Sequence, residues 1–396
     1  MDSDAIYKVA RKYAIKNASD YGKAVEGPVI SKLISEIPEA KGELAVVKDI
    51  VRKAIAEVNK LSSDEIKREF SEYSYAEPPK QRQGLPDLPS EWMPFVANTR
   101  FAPNPSGFLT IGHAKVAILC DEYAKKYGGK FWLRFEDTDP KTKKPMVEAY
   151  AAIAEDLKWL GCNLSGSVMQ SSRMELYYKY AKKLLEEGKA YVCTCSSEEV
   201  KRNRLTGTAC KCRASSTIVD WDKMLHSFGE GSAILRLKTD LNHPNSSIRD
   251  WIMFRIIDAE HPITKKKYRV WPLYNFAATI DDHDMGITLI IRGKEHEANA
   301  VKQQYLYDAL GWQMPRVLEV GALRTKEFSH KSEIARAIKS GAVSGWDDPR
   351  IPTIRSIKNR GIQPAAIRRY VVESGTGKQD SILDWNKLAA FNRALS

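Results

Sequence analysis

The sequence predicts an α/β fold: a doubly wound parallel sheet of Rossmann type with an inserted α+β domain, a helical N-terminal extension and a C-terminal helical region. Three observations carry this. From residue 94 the chain alternates strand, loop, helix, strand and helix, the order that builds parallel sheets. Between residues 193 and 267 two cysteine pairs, short strands and turns break that order and read as an insertion. Before and after these stretches, apolar residues recur at helical spacing.

At 396 residues the chain is too long for one ordinary core. Residues 1–93 read as a helical extension and linker: VVKDIVRKAIAEVNKL has helical periodicity, LSSDEIKREF opens with capping residues, and AEPPKQRQGLPDLPSEWMP is proline-dense. Residues 94–192 form the first half of the sheet. In them FVANTRFAP is a strand, NPSGFLTIG a glycine-containing loop, HAKVAILCDEYAKKYG a helix, GKFWLRFED a strand and VEAYAAIAEDLKWLG a helix. Residues 193–267 are the insertion. The alternation resumes over 268–322 with RVWPLYNFAATIDDHDMGITLIIRGKEH and the helix EANAVKQQYLYDALGW. Residues 323–396 are helical, with SEIARAIKSGA and QPAAIRRYVVESG as elements.

Composition narrows the function classes. With 43% hydrophobic and 28% charged residues the chain is an ordinary globular protein. The net charge of +12 and pI near 9.2 suit a polyanionic partner, nucleic acid first, and equally a lysine-rich surface adapted to heat. No apolar run reaches the about 18 residues of a membrane span, and the N-terminus lacks the apolar centre of a secretory signal, so a cytoplasmic protein is expected. No G-x-x-x-x-G-K-[ST] loop is present.

Five motifs carry chemistry. In NPSGFLTIGHAK a loop leaves a strand and opens a helix, the place where parallel sheets hold nucleotides; Gly107 and Gly112 let backbone amides come close, and His113 can donate to phosphate. WLRFEDTDP ends an apolar strand in three carboxylates, too costly to bury unpaired, and Asp139-Pro140 is also a good helix start. In PLYNFAATIDDHDMGITLIIRGKEH, Arg292 at the end of an apolar strand needs a partner: a substrate carboxylate, or Asp282 or Glu295 in a structural salt bridge. EFSHKSEI places Lys331 at a helix start. Cys193-x-Cys195 and Cys210-x-Cys212 form two close pairs, the sulfur-rich arrangement zinc prefers, with reduced core thiols as the alternative. Cys120 and Cys162 read as core or incidental.

These motifs together resemble the glutamyl/glutaminyl subfamily of class I aminoacyl-tRNA synthetases, in its archaeal branch. Thr110-Ile111-Gly112-His113 matches the HIGH signature, with threonine for the first histidine; EFSHKSEI matches the KMSKS loop, with His330 for methionine; SGWDDPRIPTIRSIKNRGIQPAAIRRYV is similar to the tRNA-stem-contacting region. The resemblance implies ATP with Mg²⁺, and ATP binding by Thr110, Gly112, His113, Ser329, Lys331 and Ser332, His113 and Lys331 being catalytic. It implies glutamate binding by Arg100, Ala102, Glu136, Asp137, Tyr274, Asn275 and Arg292, the last separating glutamate from glutamine. The insertion would bind the tRNA acceptor end and hold structural Zn²⁺ on Cys193, Cys195, Cys210 and Cys212. tRNA is the expected partner of a monomeric enzyme acting on L-glutamate. Members of that branch continue into anticodon-binding β-barrels where this chain stops at LDWNKLAAFNRALS, so weak tRNA charging is expected. A glutaminyl enzyme, an enzyme that glutamylates a modified tRNA base, and an inactive tRNA-binding module remain the alternatives.

Overall fold

The computed structural model describes residues 3–73, 75, 84–328 and 330–395. The chain divides into two compact units, Met1–Gln81 and Arg82–Ser396. The first is helical: α1 (Ser3–Tyr21), α2 (Glu26–Glu36), α3 (Leu44–Val58) and α4 (Ser63–Glu72). Ala10, Ala14, Val47, Val51 and Ala54 supply its core, the small and branched residues letting α1 and α3 lie close. The capping residues act as expected: Ser62 caps α4 and accepts from Glu65 N, while the Glu65 carboxylate accepts from Ser62 N at 2.8 Å. Arg11 is clamped by both carboxylate oxygens of Glu69, at 2.8 and 2.9 Å from Nη2.

The second unit is built on a parallel sheet of five strands: β1 (Thr99–Phe101), β2 (Phe131–Phe135), β3 (Gly166–Met169), β8 (Leu289–Gly293) and β9 (Arg316–Val320), in the order β3-β2-β1-β8-β9. The order reverses between β1 and β8, which opens a crevice at the carboxyl ends of those strands. Helices α5 (Ile111–Lys126) and α6 (Val147–Trp159) complete the first crossovers. Thr99 and Arg100 point to opposite faces, as neighbours in a strand must. Thr99 Oγ1 donates to the Cys120 carbonyl of α5, so Arg100 faces the other side. The register pairs Arg100 with Trp132 and Thr99 with Leu289, which puts Arg100, Arg134 and Arg292 on one face of three adjacent strands.

Between the halves lies α7 (Met174–Glu186) and a four-stranded antiparallel sheet of β4 (Ala190–Cys193), β5 (Ile234–Leu237), β6 (Ile252–Ile256) and β7 (Val270–Pro272). This sheet carries short helices α8 (Ser197–Thr206), α9 (Cys212–Ser215) and α10 (Ile218–His226). The strand read in RVWP, expected to resume the parallel alternation, is the last strand of this antiparallel sheet. Its continuous apolar run suits either environment, because both faces are covered. The parallel half resumes with α11 (Tyr274–Asp284) and, after β8, α12 (Glu297–Leu310).

The C-terminal region comprises β10 (Leu323–Arg324), α13 (Lys331–Lys339), α14 (Ile354–Asn359), α15 (Pro364–Ser374), β11 (Ser381–Ile382) and α16 (Trp385–Arg393). Its Ile354, Ile357, Ile367 and Val371 share one core with Ile118, Leu119 and Ile153 of the parallel-sheet half, so they form no separate core. The end of the proline-rich stretch also packs there. Leu88 is buried, the Pro86 carbonyl accepts from Tyr123 of α5, and Leu88 N donates to Tyr127. The start of that stretch, residues 76–83, lies outside the described residues.

Candidate active site

The crevice at the β1–β8 switch holds a cleft of about 540 Å³ lined by Asn104, Glu136, Tyr274, Asn275, His296 and Asn299, with Lys143, Arg204, Arg255 and Lys302 around it. Beneath it two of the three arginines of the sheet face, Arg100 and Arg134, meet α11. Asp282, buried, accepts from Arg100 Nε at 2.9 Å and from Arg134 Nη1 at 2.6 Å. Arg134 Nη2 also donates to Glu136 at 3.1 Å. Asp281 is held by Gln170, Arg173 and Tyr177 at 2.7–2.8 Å. Buried charges persist only when paired, and here two aspartates in one helix turn pair arginines from β1, β2 and the start of α7.

Arg292 is treated differently. It is 5% exposed, and its Nη1 donates to Gln303 Oε1 of α12 at 2.8 Å. Its Nε and Nη2 have no partner among the described residues. Neither Asp282 nor Glu295 takes it in a salt bridge, so the structural alternative for this arginine does not hold in this structure; Asp282 is spent on Arg100 and Arg134. An unpaired guanidinium beside a cleft is a site for an anion.

The other expected glutamate residues divide into two groups. Glu136, Tyr274 and Asn275 line the cleft, and Asn275 Oδ1 is buried with no partner among the described residues. Burial pushes the Glu136 carboxyl up, against the pull of Arg134 and Arg100, and burial likewise raises the Tyr274 hydroxyl. Asp137 faces away. It is 0% exposed, and its carboxylate accepts from Tyr150 Oη, Ser171 N and Ser171 Oγ at 2.7–2.8 Å, which exhausts it on the packing of the loop after β2. Arg100 is fully buried against Asp282, two of its three nitrogens already used. Ala102 follows β1, half-buried, at the crevice.

The loop expected to hold the nucleotide is positioned by its own helix and by the C-terminal region. Thr110 caps α5: its backbone N–H donates to His113 Nδ1 at 3.2 Å, and its Oγ1 lies 2.9 Å from the same nitrogen. With Nδ1 as acceptor, the imidazole carries its proton on Nε2, free to donate. Burial and neighbouring Lys331 hold His113 down to about 3, so it stays neutral. Gly112 is required by packing, since a Cβ there would lie 2.7 Å from the Leu323 carbonyl. Gly107, at φ +152, admits the Trp346 ring, which a Cβ would meet at 2.5 Å. Segment 352–354 binds the loop edge-on: Ile111 N donates to the Pro352 carbonyl and Ile354 N to the Leu109 carbonyl.

Lys331 opens α13 and donates to the Asn104 carbonyl at 2.9 Å, bringing the two motifs together. Burial, with Lys143 nearby, pushes its ammonium down to about 8. Ser332 is exposed in the first turn of α13, and Ser329 lies outside the described residues. Sequence reasoning missed Arg134, Asp281 and Gln303, gave Asn104 no role of its own, and offered Asp282 only to Arg292. The signal for Arg134 and Asp281 was present: charged residues inside apolar strands or on a helix that follows one need partners on the facing element.

In the insertion, Cys193 of β4 and Cys210 lie 3.8 Å apart at sulfur, Cys195 and Cys212 3.9 Å, and all four sulfurs fall within 4.8 Å of one another. Tetrahedral zinc with about 2.3 Å bonds to sulfur sets sulfurs about 3.8 Å apart, so the four thiols fit such an ion.

A family described as tRNA synthetases class I (E and Q), catalytic domain, matches residues 96–395. A glutamate–tRNA ligase of Pyrococcus furiosus is 46% identical over 405 aligned positions, covering 98% of this chain and 70% of that ligase. The chain belongs to this family. A glutamate–tRNA ligase of Methanopyrus kandleri is 43% identical over all of this chain and 70% of its own length. Among solved structures, a glutamate–tRNA ligase of Elizabethkingia meningosepticum in complex with its amino acid superposes with a TM-score of 0.55 at 22% identity, over 76% of this chain and 70% of that one, a likeness of fold. Lys331 of the EFSHKSEI segment and Asn104 of the NPSGFLTIGHAK segment meet in one hydrogen bond. No helix among the described residues is long and apolar enough to cross a membrane.

Proposed function

We propose that this chain activates L-glutamate with ATP, forming glutamyl-adenylate and pyrophosphate, and transfers the glutamyl group to the terminal adenosine hydroxyl of tRNA(Glu). The observation that carries the reading is Arg292, buried beside the cleft with Nε and Nη2 unpaired. Those two N–H groups form the edge of the guanidinium fork that a carboxylate accepts from bidentately, while a glutamine amide offers them only one oxygen. Relatives named glutamate–tRNA ligase, 43–46% identical over nearly the whole chain, support the same assignment.

The roles follow from charge. Glu136 meets the amino group of glutamate, with Tyr274 and Asn275 as walls. Asp282 offsets part of the charge of Arg100 and Arg134 and keeps both rigid beneath the site. His113 donates from Nε2 to a phosphate without carrying charge itself, and Lys331 supplies the cation. In this structure the Lys331 ammonium rests on the Asn104 carbonyl, at the loop that leads to His113. Mg²⁺, when bound, supplies further neutralisation of the phosphates; the protein's share is positioning and hydrogen bonding. Lys143, Arg204 and Lys302 around the cleft give the 3′ end of tRNA a cationic approach.

Structural zinc on Cys193, Cys195, Cys210 and Cys212 belongs to the same reading. The sulfur spacing supports it, and so does Arg236, whose Nη1 lies 3.9 Å from Cys193 Sγ where it offsets thiolate charge.

The test is ATP–pyrophosphate exchange with glutamate and glutamine in parallel, each with and without tRNA. Glutamate-dependent exchange is expected, and Arg292→Gln should lower kcat/KM for glutamate about 100-fold with the ATP KM unchanged. Exchange driven by glutamine instead would refute the role of Arg292.

A further inference from the structure

We infer that Gln303 is a specificity-determining positioning residue, which holds Arg292 through a neutral acceptor so that the guanidinium keeps its full charge for the substrate's side-chain carboxylate. The inference rests on the glutamate reading above and deepens it.

Gln303 lies in α12, 1% exposed, and its Oε1 accepts from Arg292 Nη1 at 2.8 Å. An arginine has donors only, so the amide must turn its oxygen to the guanidinium, and Nε2 is left without a partner. The adjacent polar group one helix turn on, Tyr307 Oη, has no partner among the described residues either. A buried amide with an orphaned donor is unfavourable where an apolar side chain would pack, so its contact with Arg292 is what accounts for it.

The same sheet face shows the contrast. Arg100 and Arg134 share the Asp282 carboxylate, and Arg134 also meets Glu136, so their charge is offset by acids of the fold. Arg292 is held by an amide, which fixes one nitrogen and cancels nothing. A carboxylate at position 303 differs by one atom and would do to Arg292 what Asp282 does to Arg100. Fixing Nη1 also aims the Nε–Nη2 edge, the one without partners, and spares the substrate the entropy of ordering it.

The experiment compares wild type, Gln303→Glu and Gln303→Met in pyrophosphate exchange with tRNA present, over a range of glutamate, glutamine and ATP concentrations. Gln303→Glu should raise the glutamate KM about 30-fold and cut the glutamate-over-glutamine preference by a similar factor. Its kcat should change less than about 3-fold and its ATP KM not at all. Gln303→Met keeps the charge and loses the hold, so its glutamate KM should rise about 5-fold. A wild-type glutamate KM in both variants overturns the inference, as does a parallel loss of glutamate, glutamine and ATP parameters, which marks a merely structural residue. If Gln303→Glu fails to fold, Gln303→Met decides by the same comparison of glutamate with ATP. Titration calorimetry of glutamate onto the same proteins separates the two readings. Wild type that binds glutamate yet shows no exchange counts against the proposed activity alone, and the variants' affinities then decide Gln303. Wild type that does neither overturns both.

Discussion

Lys331 and His113 sit together at the nucleotide loop, and the charge of one sets the state of the other. The lysine's ammonium is disfavoured by burial, with its ordinary value lowered to about 8, and its charge further depresses the buried imidazole to about 3. The signs differ in consequence. His113 is neutral throughout the physiological range, so it contributes no acidic limb between pH 5 and 8. Lys331 is charged below about pH 8 and loses its proton above it. If that charge meets the phosphates, kcat/KM for ATP, which reports the free enzyme, should fall above about pH 8 by up to tenfold per unit. Lys331→Arg keeps a cation at all accessible pH and should flatten that limb, at some cost in absolute rate. An unchanged alkaline limb in Lys331→Arg would assign it to another group.

At the scale of elements, the nucleotide loop depends on a partner more than 200 residues away in sequence. Thr353 caps α14 by accepting from Ser356 N, and its hydroxyl donates to the Trp346 carbonyl at 2.6 Å. The flanking backbone, at Pro352 and Ile354, bonds Ile111 and Leu109 on either side of Thr110. Trp346 then lies on Gly107 and stacks on Phe108 at 5.7 Å between centroids. The segment that sequence resemblance assigns to tRNA stem contact is therefore also a brace for the loop proposed to bind ATP. Thr353→Val removes the cap and the carbonyl bond, and should cost about 1–2 kcal/mol in thermal or denaturant unfolding. It should raise the ATP KM with little change in the glutamate KM. Equal effects on both substrates would locate the brace elsewhere.

Across the whole molecule, the catalytic unit rests on two large cores and small satellites. The parallel-sheet core also takes in the C-terminal helices, and the second joins α7, α11 and α12 to the antiparallel sheet. The cysteine region has only Tyr191, Cys193, Val200 and Cys210 as buried hydrophobic residues of its own. So small a cluster buries little apolar surface, and a metal staple is the physical remedy. Protein purified without chelator should carry about one zinc per chain by atomic emission. Chelation, or Cys195→Ser, should lower the melting temperature by about 5 °C or more. Metal-free protein that melts at the same temperature would leave the four thiols as core packing.

Much of the site was legible in the sequence, because its motifs are local. A strand, a glycine loop and a helix start put Thr110, Gly112 and His113 at the sheet edge whatever the rest does, and Arg292 announces itself as a charge ending an apolar strand. Two cysteine pairs likewise specify their own meeting. Three decisions belonged to the tertiary structure. Asp137 and Glu136 are neighbours in sequence, yet the loop after β2 packs so that one meets Ser171 and Tyr150 and the other lines the cleft. Asp282 could have taken any of three arginines on the sheet face; the placement of α11 gave it to Arg100 and Arg134. Arg292 was thereby left to Gln303 and free for a ligand. Sequence determines which residues carry charge and how neighbours alternate. Which buried charges cancel is decided by long-range packing, because pairing depends on contacts of a few ångströms between elements far apart in the chain.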